Sequence, residues 1–250
     1  MEWIVIDRKE YMRSSYSKYW KNARKNVYGF MEYDKALITL IDNFSKKFGK
    51  ILEVAIGTGE PIANNLEKIG YQLYGIDISD RLIDECKKNN KNIKCEVGDA
   101  EQLKFANAEF DLTYCVHSSW YIPDFNMAVT EMVRVSKRGG VVLFDILNMH
   151  NREIDKIFRF HYFENVNLIG MLYKTIKNSI KFILQKGTQD WPFIISQTPS
   201  NPIAIYDILM GRLNVEQINI YAWHEESIID LGSANKEYEE YPRLIFVVRL

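Results

Sequence analysis

The stretch Lys50-Ile51-Leu52-Glu53-Val54-Ala55-Ile56-Gly57-Thr58-Gly59-Glu60-Pro61 decides how this chain is read. Ile51, Leu52, Val54 and Ile56 form a short apolar run, the pattern of a strand buried on both faces. Gly57 and Gly59 end it, and Pro61 suits the first turn of a helix, where its missing N–H is no loss. A strand, a glycine turn and a helix start together leave bare backbone where a ligand can approach. Glu53 sits inside the apolar run, where a carboxylate is unfavourable unless something pairs with it. A ligand donor such as an ammonium group would be such a partner.

Working outward, the same rhythm repeats. A helix over Pro61 to Ile69 stops at Gly70, and Leu73 to Ile78 reads as a second buried strand with Asp77 near its end. Ser79 is placed to cap a helix over Asp80 to Lys88. Ile93 to Val97 is a third strand, followed by Gly98-Asp99-Ala100-Glu101. Phe110 to Val116 is a fourth, followed by His117-Ser118-Ser119-Trp120-Tyr121. A helix over Asn126 to Val135 leads through Lys137-Arg138-Gly139-Gly140 to a fifth strand, Val141 to Leu147. Strands alternating with helices at short intervals predict an α/β fold with a mostly parallel sheet, helices on both faces and right-handed crossovers.

The flanks differ. Arg8 to Tyr28 mixes cations with rings and reads as a helical cap over a pocket, as a basic face for phosphate groups, or as a solvated helix with its rings docked on the core. Asp34 to Phe48 is an amphipathic helix stopped by Gly49. Residues 148–200 break the alternation with an apolar, aromatic stretch threaded with lysines, read as one or two helices over the rim of the sheet, with a short strand at Trp191 to Gln197. The turn Thr198 to Pro202 opens a helix over Ile203 to Leu213. Val215 to Trp223 and Arg243 to Leu250 are closing strands with a polar loop between them. The expected organisation is one domain: a cap over 1–48, a ligand-binding core over 49–147, a lid insertion over 148–200 and a closing part over 201–250.

Bulk properties narrow the class. The 250 residues carry a formal net charge of −1, so no global basic field points to nucleic acid. No apolar run is long enough to span a bilayer, and the first ten residues lack a signal-peptide layout, so neither membrane insertion nor export is expected. Cys86, Cys95 and Cys115 show no paired metal spacing and read as reduced, buried thiols of a cytoplasmic protein. With four scattered histidines, no metal site is expected.

The acids at strand ends carry the functional reading. In a parallel sheet, ligands bind outside the carboxyl ends of the strands where the strand order reverses. Asp77 lies 18 residues after Gly59 (77 − 59), the spacing used to catch ribose hydroxyls. Asp99 can accept from an adenine amino group while the neighbouring N–H donates to the ring. Three successive strand ends would then contact three parts of one nucleoside ligand.

From Ile51 to Leu147 the sequence resembles the class I S-adenosylmethionine-dependent methyltransferases. The family's first motif, an acid followed by small residues and Gly-x-Gly, matches Glu53-Val54-Ala55-Ile56-Gly57-Thr58-Gly59, with Ala55 where the first glycine usually stands. Asp77 matches the acid of the second motif, Asp99-Ala100 the third, and Phe110-Asp111 through Cys115 the fourth. Lys137-Arg138-Gly139-Gly140 is similar to the family's turn before strand five, without its proline, and Arg243 to Leu250 to its antiparallel last strand. The resemblance implies a Rossmann-like sheet of seven strands with a helical lid, and S-adenosylmethionine as cofactor. It implies Glu53 near the methionine ammonium, Ala55, Gly57 and Gly59 letting the cofactor lie against backbone, and Asp77 with Ile78 at the ribose. Asp99 and Ala100 would meet the adenine, and the Cys115 backbone the methionine part.

The implied chemistry is direct methyl transfer to a small acceptor, such as a sugar, a quinone or a lipid-like intermediate, by a monomer or homodimer. A base is needed only if the acceptor must lose a proton. His117, just past strand four, is the leading candidate, with Tyr121 and Trp120 as pocket residues and His161 as an outside one. Two other readings share part of the pattern: a cofactor-binding module without transferase activity, and a nicotinamide-dependent oxidoreductase. The latter fold would want glycine where Ile62 stands.

Overall fold

The computed structural model describes residues 8–13, 31–159, 176, 198–213, 215–232 and 236–250. Its helices are α1 (Arg8–Tyr11), α2 (Glu32–Phe44), α3 (Ile62–Ile69), α4 (Asp80–Asn89), α5 (Phe125–Val135), α6 (Arg152–Arg159) and α7 (Pro202–Asp207). The strands are β1 (Lys50–Val54), β2 (Gln72–Asp77), β3 (Lys94–Val97), β4 (Phe110–Cys115), β5 (Ser136–Leu147), β6 (Gln217–His224), β7 (Ser227–Gly232) and β8 (Arg243–Arg249). They form one sheet in the order β3-β2-β1-β4-β5-β8-β6-β7. The first five strands run parallel, and β8 enters antiparallel between β5 and β6.

The sheet has eight strands, one more than the expected seven. The addition is β7, in the segment read as a polar loop. Only Leu231 of β7 is buried, so this edge strand lacks the apolar alternation that would reveal it. The chain reverses between β6 and β7 at Glu225 and Glu226, with φ of 45° and 62°, which makes a hairpin without glycine.

Alternation along each strand divides the core into two layers. On one face Leu52, Val54, Phe144 and Phe246 pack with Ala128, Val129 and Met132 of α5 and with Ile205 of α7. On the other, Ile51, Leu112, Leu143 and Ile245 pack with Leu37 and Ile41 of α2, Leu66 of α3 and Ile83 of α4. Burying each of these large side chains contributes roughly 1.5–3 kcal/mol. Helices therefore cover both faces, and the strand order reverses between β1 and β4.

Several boundaries differ from the sequence reading. Pro61 precedes α3 instead of opening it, joined to Glu60 by a cis peptide. Helix α2 ends at Phe44 because Ser45 is already extended, and the chain reaches β1 through Phe48 at φ 59°. Strand β5 begins at Ser136, ahead of the double glycine, with an irregularity in its pairing to β4. Gly140 permits this, because a Cβ there would meet the Asp111 carbonyl at 2.9 Å and the Lys137 carbonyl at 2.7 Å. Helix α7 continues into a wide π-type turn, Ile208–Arg212. Ser79 caps α4 as expected, accepting from Leu82 N at 3.4 Å.

Asp111 is a structural anchor at the end of the sheet where these strands begin. It accepts from Lys50 N and from Lys137 Nζ, each at 2.9 Å, tying the starts of β1, β4 and β5 together. Ser200 N donates to the Leu147 carbonyl at 2.8 Å and Thr198 N to the Trp120 carbonyl at 2.7 Å, so the insertion after β5 begins and ends at one corner of the sheet. Helix α6 begins the helical stretch expected within 148–200; residues 160–175 and 177–197, with His161 and the strand expected at Trp191 to Gln197, and most of the Arg8 to Tyr28 segment lie outside the described residues.

Candidate active site

A cleft partly open to solvent lies at the ends of β1 to β4. This is the switch point of the sheet, where open α/β folds bind ligands. Glu53, Ala55, Gly57, Asp77, Ile78, Asp99, Ala100, His117 and Tyr121 all line it, so nine of the twelve described residues expected at the site stand on one surface. Gly59, Cys115 and Trp120 do not line it; Trp120 is buried beside Arg243. Gly59 lies behind the loop at φ 78°, where a Cβ would come within 2.8 Å of Asn90 Nδ2. Cys115 is fully buried in the apolar core, and Val116 and His117 form the cleft wall at that strand end.

The loop after β1 keeps a left-handed backbone. Ala55 has φ 62° and Gly57 φ 59°. Ala55 thus adopts the shape a glycine would take at that position, at a steric cost of about 1–2 kcal/mol.

Glu53 is 6% exposed, and its Oε2 accepts from the Tyr114 hydroxyl at 2.7 Å. The two residues are neighbours in the β1–β4 register. Tyr114 therefore supplies the partner that a carboxylate in a buried strand requires. Burial first, then the Glu53 charge, pushes the Tyr114 hydroxyl well above the usual phenol range, so it stays a donor.

Asp77 joins two loops. Its Oδ2 accepts from Gly57 N and its Oδ1 from Ser79 N, each at 2.9 Å. Burial pushes its carboxyl up to about 6, against the opposing pull of the Ser79, Gly57 and Ile78 N–H groups.

Asp99 meets the N-terminal segment. Its Oδ2 pairs with Lys9 Nζ at 2.7 Å, and Lys9 also reaches Glu101 at 2.6 Å. Burial opposes the Lys9 charge, but the two carboxylates outweigh it and hold the ammonium above its ordinary value. Lys9 and Met12 both line the cleft, so this part of the N-terminal segment contributes to its wall at the Asp99 corner.

His117 belongs to a buried polar network that sequence reasoning missed. Its φ is 59°, and its N–H donates to Asp145 Oδ1 at 2.8 Å. Its Nε2 lies 2.8 Å from Asp34 Oδ1, and its Nδ1 lies 3.5 Å from an Arg243 nitrogen. An ionised Asp34 offers only acceptors and Arg243 only donors, so Nε2 carries the hydrogen and Nδ1 presents a lone pair. Asp145 also accepts from the Tyr33 hydroxyl at 3.0 Å and stands 3.9 Å from Arg243. The Arg243 guanidinium lies 4.7 Å from the centres of both the Tyr33 and Trp120 rings. Asp145 interrupts the apolar run of β5 as Glu53 interrupts β1, and that was the available signal. Among the described residues no cluster of His, Cys, Asp and Glu is placed to hold a metal ion. No described helix is long and apolar enough to cross a membrane.

Residues 52–144 match the family model of the methyltransferase domain. Demethylmenaquinone methyltransferase of Staphylococcus aureus is 29% identical over 153 residues, a match spanning 59% of this chain and 63% of that protein's length. Among solved structures, a methyltransferase dependent on S-adenosylmethionine from Thermotoga maritima aligns at a TM-score of 0.57 with 16% identity, covering 96% of this chain and 97% of the other. Magnesium protoporphyrin IX methyltransferase from Synechocystis, with bound S-adenosylhomocysteine, aligns at 0.57 with 12% identity over 96% and 97%. Residues 52–144 thus carry a methyltransferase domain, and the chain shares its fold with methyltransferases dependent on S-adenosylmethionine. The residues on the cleft fit that cofactor: it offers an ammonium, a ribose diol and an adenine amine, and each of three strand ends presents a carboxylate.

Proposed function

We propose that this protein transfers a methyl group from S-adenosylmethionine to a small-molecule acceptor in the cleft beside His117 and Tyr121. One observation carries the reading: Glu53, Asp77 and Asp99, from three neighbouring strand ends, open on one cleft at the switch point. When bound, the cofactor supplies a methyl group already activated on a sulfonium. The chain's own task is placement and exclusion of water. Glu53, steadied by Tyr114, receives the ammonium, Asp77 accepts from the ribose hydroxyls, and Asp99 with Ala100 meets the adenine. Asp34 and Arg243 hold the two ring nitrogens of His117, which fixes the ring at the acceptor side of the cleft. Tyr121 walls the acceptor side.

The acceptor is proposed to be ring-shaped and largely apolar. The aromatic residues of the insertion favour this, and the Staphylococcus aureus relative is named for demethylmenaquinone. The protein is proposed to act in the cytoplasm, as a monomer or homodimer, without nucleic acid. Methyl transfer from labelled cofactor to a panel of quinols, phenols and amines tests the reading. Transfer to a panel member supports it. Cofactor binding without transfer to any acceptor class would favour a non-catalytic binding module.

Asp77 gives a pH prediction. Ribose hydroxyls donate to the ionised carboxylate, and the free protein holds its Asp77 proton up to about 6. Affinity for S-adenosylhomocysteine is therefore flat above that value and falls by up to about tenfold per pH unit below it. Calorimetry across this range checks it; an affinity unchanged down to about pH 5 would remove the ribose role from an ionised Asp77.

A further inference from the structure

Cys86 on α4 and Cys95 on β3 are free, buried thiols whose sulfurs lie 2.6 Å apart. They sit directly behind the loop that lines the cleft. A Cβ on Gly59 would come within 3.1 Å of Cys86 Sγ, so this sulfur packs against the glycine. Asn90, one turn along α4, donates from Nδ2 to the Thr58 carbonyl at 2.8 Å and from its N–H to the Cys86 carbonyl at 2.8 Å. The Cys86 position and the loop backbone are therefore mechanically joined.

The two thiols are unequal. The hydrogen bond from Cys86 comes first in holding Cys95 below its ordinary thiol value; burial opposes it and the Lys87 charge assists. The same bond, then burial, pushes Cys86 up. Cys95 retains 6% exposure whereas Cys86 is fully enclosed, so Cys95 is the sulfur of the pair that a small oxidant reaches first. Cys115 lies apart, with burial pushing its thiol well above the usual range. Methyl transfer gives the pair no role.

We propose that Cys86 and Cys95 form an oxidation site for small peroxides, closing to a disulfide that loosens the cofactor loop. The Cys95 thiolate attacks one peroxide oxygen and the O–O bond breaks. This leaves a sulfenic acid on Cys95 and one water once the hydroxide takes a proton. The Cys86 sulfur then attacks the sulfenic sulfur, the S–S bond forms, and a second water leaves with the Cys86 proton. Two thiols lose two electrons and hydrogen peroxide accepts them. Closure draws the Cys86 sulfur from its seat against Gly59, and the effect on the cofactor rests on the methyltransferase reading above.

The test treats the full chain with hydrogen peroxide, removes the excess with catalase, and maps cysteines by peptide mass spectrometry without reductant. S-adenosylhomocysteine binding is measured in parallel by calorimetry. The expected result is a cross-linked Cys86–Cys95 peptide, a Kd raised by about tenfold, and recovery of both on reduction with dithiothreitol. Cys95→Ser should give no cross-link and an affinity that peroxide leaves unchanged. Full alkylation of both cysteines after peroxide, or a cross-link with unaltered affinity, would overturn the proposal. If the reduced protein itself fails to bind S-adenosylhomocysteine, the methyltransferase reading fails, while the cross-link arm still decides whether the dithiol closes.

Discussion

Asp77→Ala will raise the Kd for S-adenosylhomocysteine by at least about 100-fold and lower the melting temperature in the same protein. The double effect follows from the geometry. Asp77 is 7% exposed, and its two oxygens hold the Gly57 and Ser79 N–H groups of two different loops. Alanine removes the acceptor for the ribose and leaves buried donors without a partner. Each such donor costs about 1–3 kcal/mol. Asp77→Asn is the informative companion: one amide oxygen can still accept, but its NH2 meets a backbone N–H head-on, so an intermediate loss is expected. Calorimetry and thermal unfolding together read the result. Normal affinity in Asp77→Ala would remove Asp77 from the site.

Asp145→Ala is expected to be the most destabilising change in the polar network, by about 3–5 kcal/mol in urea unfolding. Asp145 is fully buried and serves Tyr33, the His117 N–H and Arg243 at once. Without it, a buried hydroxyl and a backbone N–H lose their acceptor, and a mostly buried guanidinium loses a counter-charge 3.9 Å away. His117 would also lose the bond that holds its left-handed backbone. Tyr33→Phe removes one contact of the set and should cost only about 1 kcal/mol. Equal losses in the two variants would mean that the network is no more than a tyrosine hydrogen bond.

The contrast between these residues explains what the sequence could reveal. Asp77 and Asp99 were legible because strand ends are punctuated locally: an apolar run stops, a turn residue follows, and the acid stands at a fixed place relative to both. Glu53 was legible as a charge inside a buried strand, although its partner Tyr114 was not, since nothing in sequence says which tyrosine lies opposite. The network around His117 gathers residues 33, 34, 117, 145 and 243 from four separate parts of the chain, so only the tertiary fold assembles it. Asp34 shows how local reasoning stops short. It accepts from Met31 N at 3.0 Å as an ordinary helix-start acid, and only its other oxygen discloses the second role. The pairing of Cys86 with Cys95 was hidden similarly, because a helix packing on a strand sets that distance.

A crystal structure of the protein with S-adenosylhomocysteine tests the central claim most directly. The account requires its amino group beside Glu53, its ribose hydroxyls on Asp77 and its adenine at Asp99 and Ala100. A ligand seated away from these strand ends, or no bound ligand at saturating concentration, would contradict it.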